Sequence, residues 1–351
     1  MTELTQTGAA VSTMKAALTE VLGQELARSS DVLVLGETIR DGGAAGVAAG
    51  LFERFGSRQV IETPVSENAI FGAVLGLALS GFTPIVEIYS ADFLLAVANE
   101  VVNDIPKWRQ QQGRGGALPI VIRGCMGANG GLGPEHSQAM EPYLHHTPGL
   151  TVVTPGTPAD AAGLLRSAIA SPDPVVFLEH RRLYDVAGPV PTDPGHRVPL
   201  GRAELVAEGD DLTVVAWGWM RTEAVLAVEA LAREDITADL IDPRTISPID
   251  WDPILASVER TGRLLVAEET PITGSVGAEI VARVVERSSR PVQVARVAMP
   301  DAIHPYSAAM ERELLPTAED VARAARQLVT RRWEAAATKA GQETNEGGSA
   351  C

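Results

Sequence analysis

Short runs of Val, Ile and Leu recur along the chain, separated by stretches whose apolar residues fall at helical intervals. That alternation predicts strands and helices in turn. In the first half, buried strands are expected at 32–35, 60–61, 84–88, 118–122, 152–153 and 175–178. Helices are expected over 12–28, capped by Ser12 or Thr13, over 69–79, over 94–112 with Pro106 interrupting or kinking it, and over 158–169. Residues 69–79 are apolar nearly all round, which predicts a buried helix. Beyond residue 200, strands at 212–216, 238–242, 263–267 and 291–295 alternate with helices at 222–233, 253–261, 277–288 and 317–330. The expected class is therefore α/β, with a parallel or mixed sheet in each half. Prolines recur over 184–200 without apolar periodicity, the best boundary in the chain. The expected domains are 1–185 and 201–332, joined by a linker at 186–200. A polar, Gly/Ser-rich tail at 333–351 is expected to be disordered.

Composition narrows the function classes. The 351 residues carry a net charge of −16, with 45% hydrophobic and 21% charged residues, a profile that suits two ordinary globular domains. Such acidity argues against nucleic acid or an anionic membrane as partner. The two cysteines, Cys125 and Cys351, make no disulfide framework. No secretory signal opens the sequence and no apolar run is long enough to cross a bilayer, so a cytoplasmic protein is expected.

Candidate chemistry gathers where strands give way to helices. Glu67 follows the strand at 60–61 and opens the helix after Thr63-Pro64, with Ser66 as a possible N-cap. A carboxylate there either performs chemistry or merely complements the helix dipole. Glu37 lies on a similar loop, as a site neighbour or a solvated acid. The Gly/Ala run at 41–50 lacks both GxGxxG and GxxxxGK[ST] spacing and reads as a turn into a close-packed helix. The loop at 124–138 is the most glycine-rich of the chain, which permits close backbone approach to a ligand or partner, and His136 sits near its end. His145 and His146 are adjacent and cannot converge on one metal ion from a helix or strand.

The stretch TPVSENAIFG (63–72), followed by PIVEIYSADF (84–93), resembles the beta subunit of the thiamine-diphosphate-dependent 2-oxoacid dehydrogenases, a split branch of the transketolase superfamily. The likeness continues through LGETIRDGG (35–43), PGLTVVTPGTPADAAGLL (148–165), PVVFLEH (174–180), DPRTISPID (242–250) and HPYSAAMERELLP (304–316), covering about residues 10–330. It implies a pyrimidine-binding domain followed by a transketolase C-terminal-type domain. It also implies that Glu67 hydrogen-bonds N1′ of the thiamine pyrimidine, that Phe93 stacks on that ring, that Tyr89 and Glu37 stand nearby, and that His136 faces the substrate or the acyl-transfer step. The GDG motif that grips Mg²⁺ and diphosphate in this superfamily is absent from this chain; EGDD at 208–211 precedes a strand. The resemblance therefore assigns Mg²⁺ and the diphosphate to an alpha subunit in an α₂β₂ heterotetramer that docks a dihydrolipoyl acyltransferase with its lipoyl domain. Relatives hold a potassium ion with backbone carbonyls plus an Asp and an Asn. The matching positions here, Ile120, Ala168, Ser171 and Asp173, depart from that set and leave the ion open. The family's D-x-P-x-P-Y pattern lacks its first proline at 301–306, where His304 either reaches the active-site mouth or, as the simpler reading, is a surface-loop histidine.

The implied activity is oxidative decarboxylation of a 2-oxoacid, or cleavage of acetoin, with acyl transfer to lipoyl. A split transketolase-like enzyme with a non-lipoyl acceptor and a non-catalytic scaffold are the rivals. A nucleotide-binding module lacks any phosphate fingerprint.

Overall fold

The computed structural model describes residues 8–113 and 115–330. Cys351 and the tail expected at 333–351 lie outside them. Three sheets order the chain. Strands β1 (Ala9–Thr13), β2 (Val32–Gly36), β3 (Val60–Glu62), β4 (Thr83–Ile88), β5 (Val121–Met126), β6 (Thr151–Val153), β7 (Val175–His180) and β8 (Ala187–Pro191) precede residue 200. Strands β9 (Glu204–Ala207), β10 (Leu212–Ala216), β11 (Ala238–Asp242), β12 (Thr245–Ser247), β13 (Arg263–Pro271) and β14 (Gln293–Met299) follow it. The larger sheet runs β12-β6-β7-β5-β4-β2-β3 and is parallel except at β12, which lies antiparallel to β6. The second runs β14-β13-β10-β11-β9, parallel except for β9. Strands β1 and β8 form an antiparallel ribbon.

The helices are α1 (Met14–Arg28), α2 (Leu51–Phe55), α3 (Glu67–Leu79), α4 (Ile105–Gln112), α5 (Glu141–His145), α6 (Pro158–Ile169), α7 (Gly218–Ala232), α8 (Trp251–Thr261), α9 (Val276–Arg287), α10 (Ala308–Leu314) and α11 (Ala318–Thr330). Local chemistry sets several ends. The Thr13 hydroxyl accepts the Ala16 N–H at 3.2 Å to cap α1. Thr157 caps α6 through the Asp160 N–H, with Pro158 in the first turn, where a missing N–H costs nothing.

Several expectations are corrected. Residues 187–191 of the expected linker are a strand, because the two-stranded ribbon leaves prolines free of ladder duties. The single helix expected over 94–112 is instead a 3₁₀ turn at Ala91–Val97, a π turn at Asn99–Asp104, and α4, which Pro106 helps to open. The expected strand at 118–122 sits later and runs to Met126. Helix α3 buries only Ile70, Phe71, Val74 and Ala78, while Ala69, Gly72, Ala73, Gly76 and Leu79 are exposed. The second half also contributes β12 to the edge of the first sheet, so the large sheet takes one strand from beyond the boundary.

Beneath the carboxyl edge of the large sheet lies a charged core. Arg123 on β5, 1% exposed, grips Glu179 on β7 with Nε and Nη2 at 2.7 and 2.8 Å, and Glu87 on β4 with Nη1 at 2.8 Å. The Tyr184 hydroxyl donates to Glu179, and the Ala44 N–H donates to Glu87. Burial would lower the Arg123 pKa, but Glu179 and Glu87 hold it above the ordinary arginine value. Gly43 has φ +75°, and a Cβ there would fall 1.9 Å from Glu87 Oε1, so only glycine lets this turn close over the cluster.

Glu141 joins the two halves: on α5 and buried, it accepts the Trp217 indole N–H at 3.1 Å. Burial is the main cause that pushes its carboxyl up to about 7. The folded chain thus holds a proton there from the ordinary carboxylate range up to about pH 7, where the unfolded chain has lost it. Stability from this group therefore falls as pH rises through that window. Glu141→Gln, which keeps the acceptor oxygen, is expected to stabilise the protein by ~2–3 kcal/mol at pH 8 and little at pH 4.5, read by urea denaturation at both pH values. A pH-independent difference would contradict this.

Candidate active site

The carboxyl ends of β2, β3, β4, β5 and β7 all deliver functional side chains to one edge, where open α/β sheets bind ligands. Glu37 follows β2 and Glu67 is the first residue of α3. Ser66 occupies the N-cap position but makes no side-chain cap bond, contrary to expectation. Glu37 is buried at 8% exposure, and its Oε1 has no hydrogen-bond partner. Burial first, then the nearby Glu67 charge, raises the Glu37 pKa, against a lowering hydrogen bond from the Ser66 N–H. Two carboxylates thus converge at a helix N-terminus with acceptor capacity to spare.

Next to this pair, the Asn68 side chain donates to the Ala96 carbonyl at 3.3 Å, tying α3 to the 3₁₀ turn that carries Phe93. The half-exposed Phe93 ring meets the His136 imidazole edge-on, with centroids 5.3 Å apart and planes at 78°. Buried Asp92 fixes this corner: it accepts from the Ser90 hydroxyl at 2.5 Å and from both Gln138 nitrogens at 3.1 Å. Tyr89, 41% exposed, lines a cleft of about 550 Å³ together with His136, Lys15, Asn129 and Arg181. Arg181 in turn donates to Ser90 at 2.8 Å. Cys125 also borders the cleft, but burial pushes its thiol up to about 11, so it is a neutral wall and no nucleophile.

The sequence-predicted set therefore falls into two neighbouring pairs, Glu37 with Glu67 and Phe93 with His136, with Tyr89 beside the second. Asp92 and Arg181 were missed; the signal was their place beside Phe93 and directly after the PVVFLEH strand. The surface-loop reading of His304 is corrected: it is 6% exposed, and it lines a second, mainly apolar groove between the two halves with Gln138 and Tyr143. Burial lowers its pKa, against the charges of Glu269, Glu311 and Asp92, and its Nδ1 is unpartnered.

Among the described residues, Asp160, Glu204 and Asp242 bring carboxylate oxygens within 4.8 Å of one another. Arg221 and Arg244 already pair with all three, so the cluster is an internal salt-bridge network between the halves. The potassium positions fit poorly. The Ile120 carbonyl accepts from Val175 N–H, and the Ala168 carbonyl from Ser171 N–H. The Ser171 hydroxyl donates to the Asp173 carbonyl, and Arg109 binds both the Asp173 carboxylate and the Pro172 carbonyl. The protein supplies its own cation here, the Arg109 guanidinium.

Such a fold and edge define a two-domain chain of the transketolase class. Residues 11–186 match the transketolase pyrimidine-binding domain family and residues 201–321 the transketolase C-terminal domain family. The chain is 37% identical over 329 residues to the acetoin:2,6-dichlorophenolindophenol oxidoreductase subunit beta of Cupriavidus necator, covering 90% of this chain and 97% of that one. It is 38% identical over 320 residues to the pyruvate dehydrogenase E1 component subunit beta of Bacillus subtilis, covering 90% and 98%. Against the 2-oxoisovalerate dehydrogenase subunit beta of the same organism it is 36% identical over 317 residues, covering 89% and 97%. A split-gene transketolase, described as an inactive beta4 tetramer, shares the fold with a TM-score of 0.76 at 24% identity, covering 90% of this chain and 98% of that one. The chain belongs to the family of 2-oxoacid and acetoin dehydrogenase beta subunits. No helix among the described residues is long and apolar enough to cross a membrane.

Proposed function

We propose that this chain is the beta subunit of a cytoplasmic 2-oxoacid or acetoin dehydrogenase and contributes the pyrimidine half of a thiamine diphosphate site. The carrying observation is the Glu37–Glu67 pair with its unpartnered buried Oε1, beside the open Phe93 ring. An aminopyrimidine presents an amine donor, a ring nitrogen that donates once protonated, and a flat face, which a carboxylate that holds that proton and an aromatic ring match. Bound there, the cofactor supplies the electron sink for decarboxylation. Glu67 would accept the hydrogen bond of a protonated N1′ and so keep the proton on that nitrogen, Glu37 and Tyr89 would border the ring, and Phe93 would stack on it. His136 would donate to the substrate carboxylate or to the acyl-transfer step.

The diphosphate and Mg²⁺ are assigned to a second, alpha chain in an α₂β₂ assembly. The exposed apolar side of α3 supports that partner, since a continuous apolar patch facing water marks a contact surface. The lipoyl group of a dihydrolipoyl acyltransferase is the proposed acceptor. The boundary between the two units is proposed at 186–200. To test the reading, the chain is assayed alone and with its alpha chain on pyruvate, branched-chain 2-oxoacids and acetoin, with a lipoyl domain or an artificial dye as acceptor. Turnover by the pair alone, with lipoyl reduced, is the expected result. Turnover of sugar phosphates without any lipoyl acceptor would favour a transketolase-like enzyme instead.

A further inference from the structure

The glycine-rich loop that leads to His136 is fastened largely from the opposite half of the molecule. Glu311 on α10, only 1% exposed, accepts the Gly130 and Gly131 backbone N–H groups through Oε2 at 2.8 and 3.1 Å. Two consecutive N–H groups converging on one oxygen make an anion nest, here filled by the protein's own carboxylate. Glu269 on β13 takes the Ala128 N–H at 2.8 Å, and the His180 Nε2–H donates to its other oxygen at 3.0 Å. The Tyr306 hydroxyl donates to Glu135, the residue before His136, at 2.7 Å. Glycine is needed for this approach: a Cβ on Gly131 would lie 2.5 Å from the Tyr306 carbonyl oxygen, and one on Gly133 would lie 2.0 Å from its ring. From the first half, Asp92 holds the far end of the loop at Gln138.

We infer that Glu311 is a positioning residue for His136: by holding the backbone at Gly130 and Gly131, it fixes where the imidazole stands against Phe93 and the substrate. The inference rests on the role proposed above for His136. A loop with Gly130, Gly131 and Gly133 all at positive φ has little conformational preference of its own, so its place is set by its tethers. A displacement of about 1 Å at a reacting group costs about 10²-fold in rate.

Two gentle substitutions in the assembled enzyme separate position from charge. Glu311→Asp keeps the charge but withdraws the oxygen from the nest, and is expected to lower kcat about 10²-fold with faster hydrogen exchange over 127–136. Glu311→Gln keeps an acceptor in place without the charge, and is expected to stay within about tenfold of the parent enzyme. Cofactor affinity should change in neither. Asp at parental kcat, or Gln falling as far as Asp, would overturn the inference. His136→Gln is measured in parallel: full activity there removes the reading on which the inference rests, while loop exchange in Glu311→Asp still reports whether Glu311 holds the loop.

Discussion

Glu67→Gln in the assembled enzyme is expected to lower 2-oxoacid turnover by about 10²–10⁴-fold, the span associated with losing a positioned proton-handling group. Glu67 stands at the first turn of α3 with its side chain only half-buried, so an amide of equal size is accommodated without disturbing the core. Gln can still accept a hydrogen bond. It cannot carry negative charge, and a charge-assisted bond is roughly twice as strong as a neutral one. The neighbouring Glu37 cannot take over, because burial and the ordered turn after β2 hold it in its own place. The loss should appear in kcat with the melting temperature unchanged, measured by dye reduction with saturating cofactor. A variant within about tenfold of the parent would remove Glu67 from the chemistry.

Arg123→Met is expected to destabilise the protein by about 3–5 kcal/mol, the cost of stripping the partner from a buried ion pair. Arg123 serves two carboxylates at once, and neither Glu87 nor Glu179 has access to water in its place. Burial already pushes the Glu87 pKa up against the pull of Arg123, and without the guanidinium it would rise further. The folded variant then holds protons that the unfolded chain releases, so its deficit grows as pH rises above the carboxylate range and shrinks in mild acid. Urea denaturation at pH 5 and pH 8 reads both the size and the sign. The cluster also supports the cleft, since Glu87 fixes the Ala44 backbone and Glu179 precedes the His180–Arg181 corner. A loss below about 1 kcal/mol would contradict this account.

The sequence displayed its strands because parallel strands buried on both faces read as continuous β-branched runs, as at β2, β4 and β7. Glu67 was visible as a carboxylate at a strand-to-helix junction; its role came from the motif around it, since spacing alone also fits a dipole-complementing residue. The charged core was invisible, because Glu87 and Glu179 lie 36 and 56 positions from Arg123 and meet it only through strand register. His304 misled for a related reason: its loop has no apolar period, and it is the packing of the two halves that buries it. Helix α3 misled in the opposite direction. An all-round apolar sequence predicts burial, yet within this chain only one side finds a partner. The glycine-rich loop at 124–138 was read as permitting approach of a ligand or partner, whereas at Gly131 and Gly133 it is Tyr306 of the second half that comes close.

The central claim is that this chain holds the pyrimidine half of a site that another chain completes. Its most direct test is calorimetric titration of thiamine diphosphate with Mg²⁺ into the chain alone, into its pair with the alpha chain, and into the pair carrying Glu67→Gln. The account predicts no saturable binding to the chain alone, saturable binding to the pair, and a weakened interaction in the variant. Tight, Mg²⁺-dependent binding to the chain alone would contradict it.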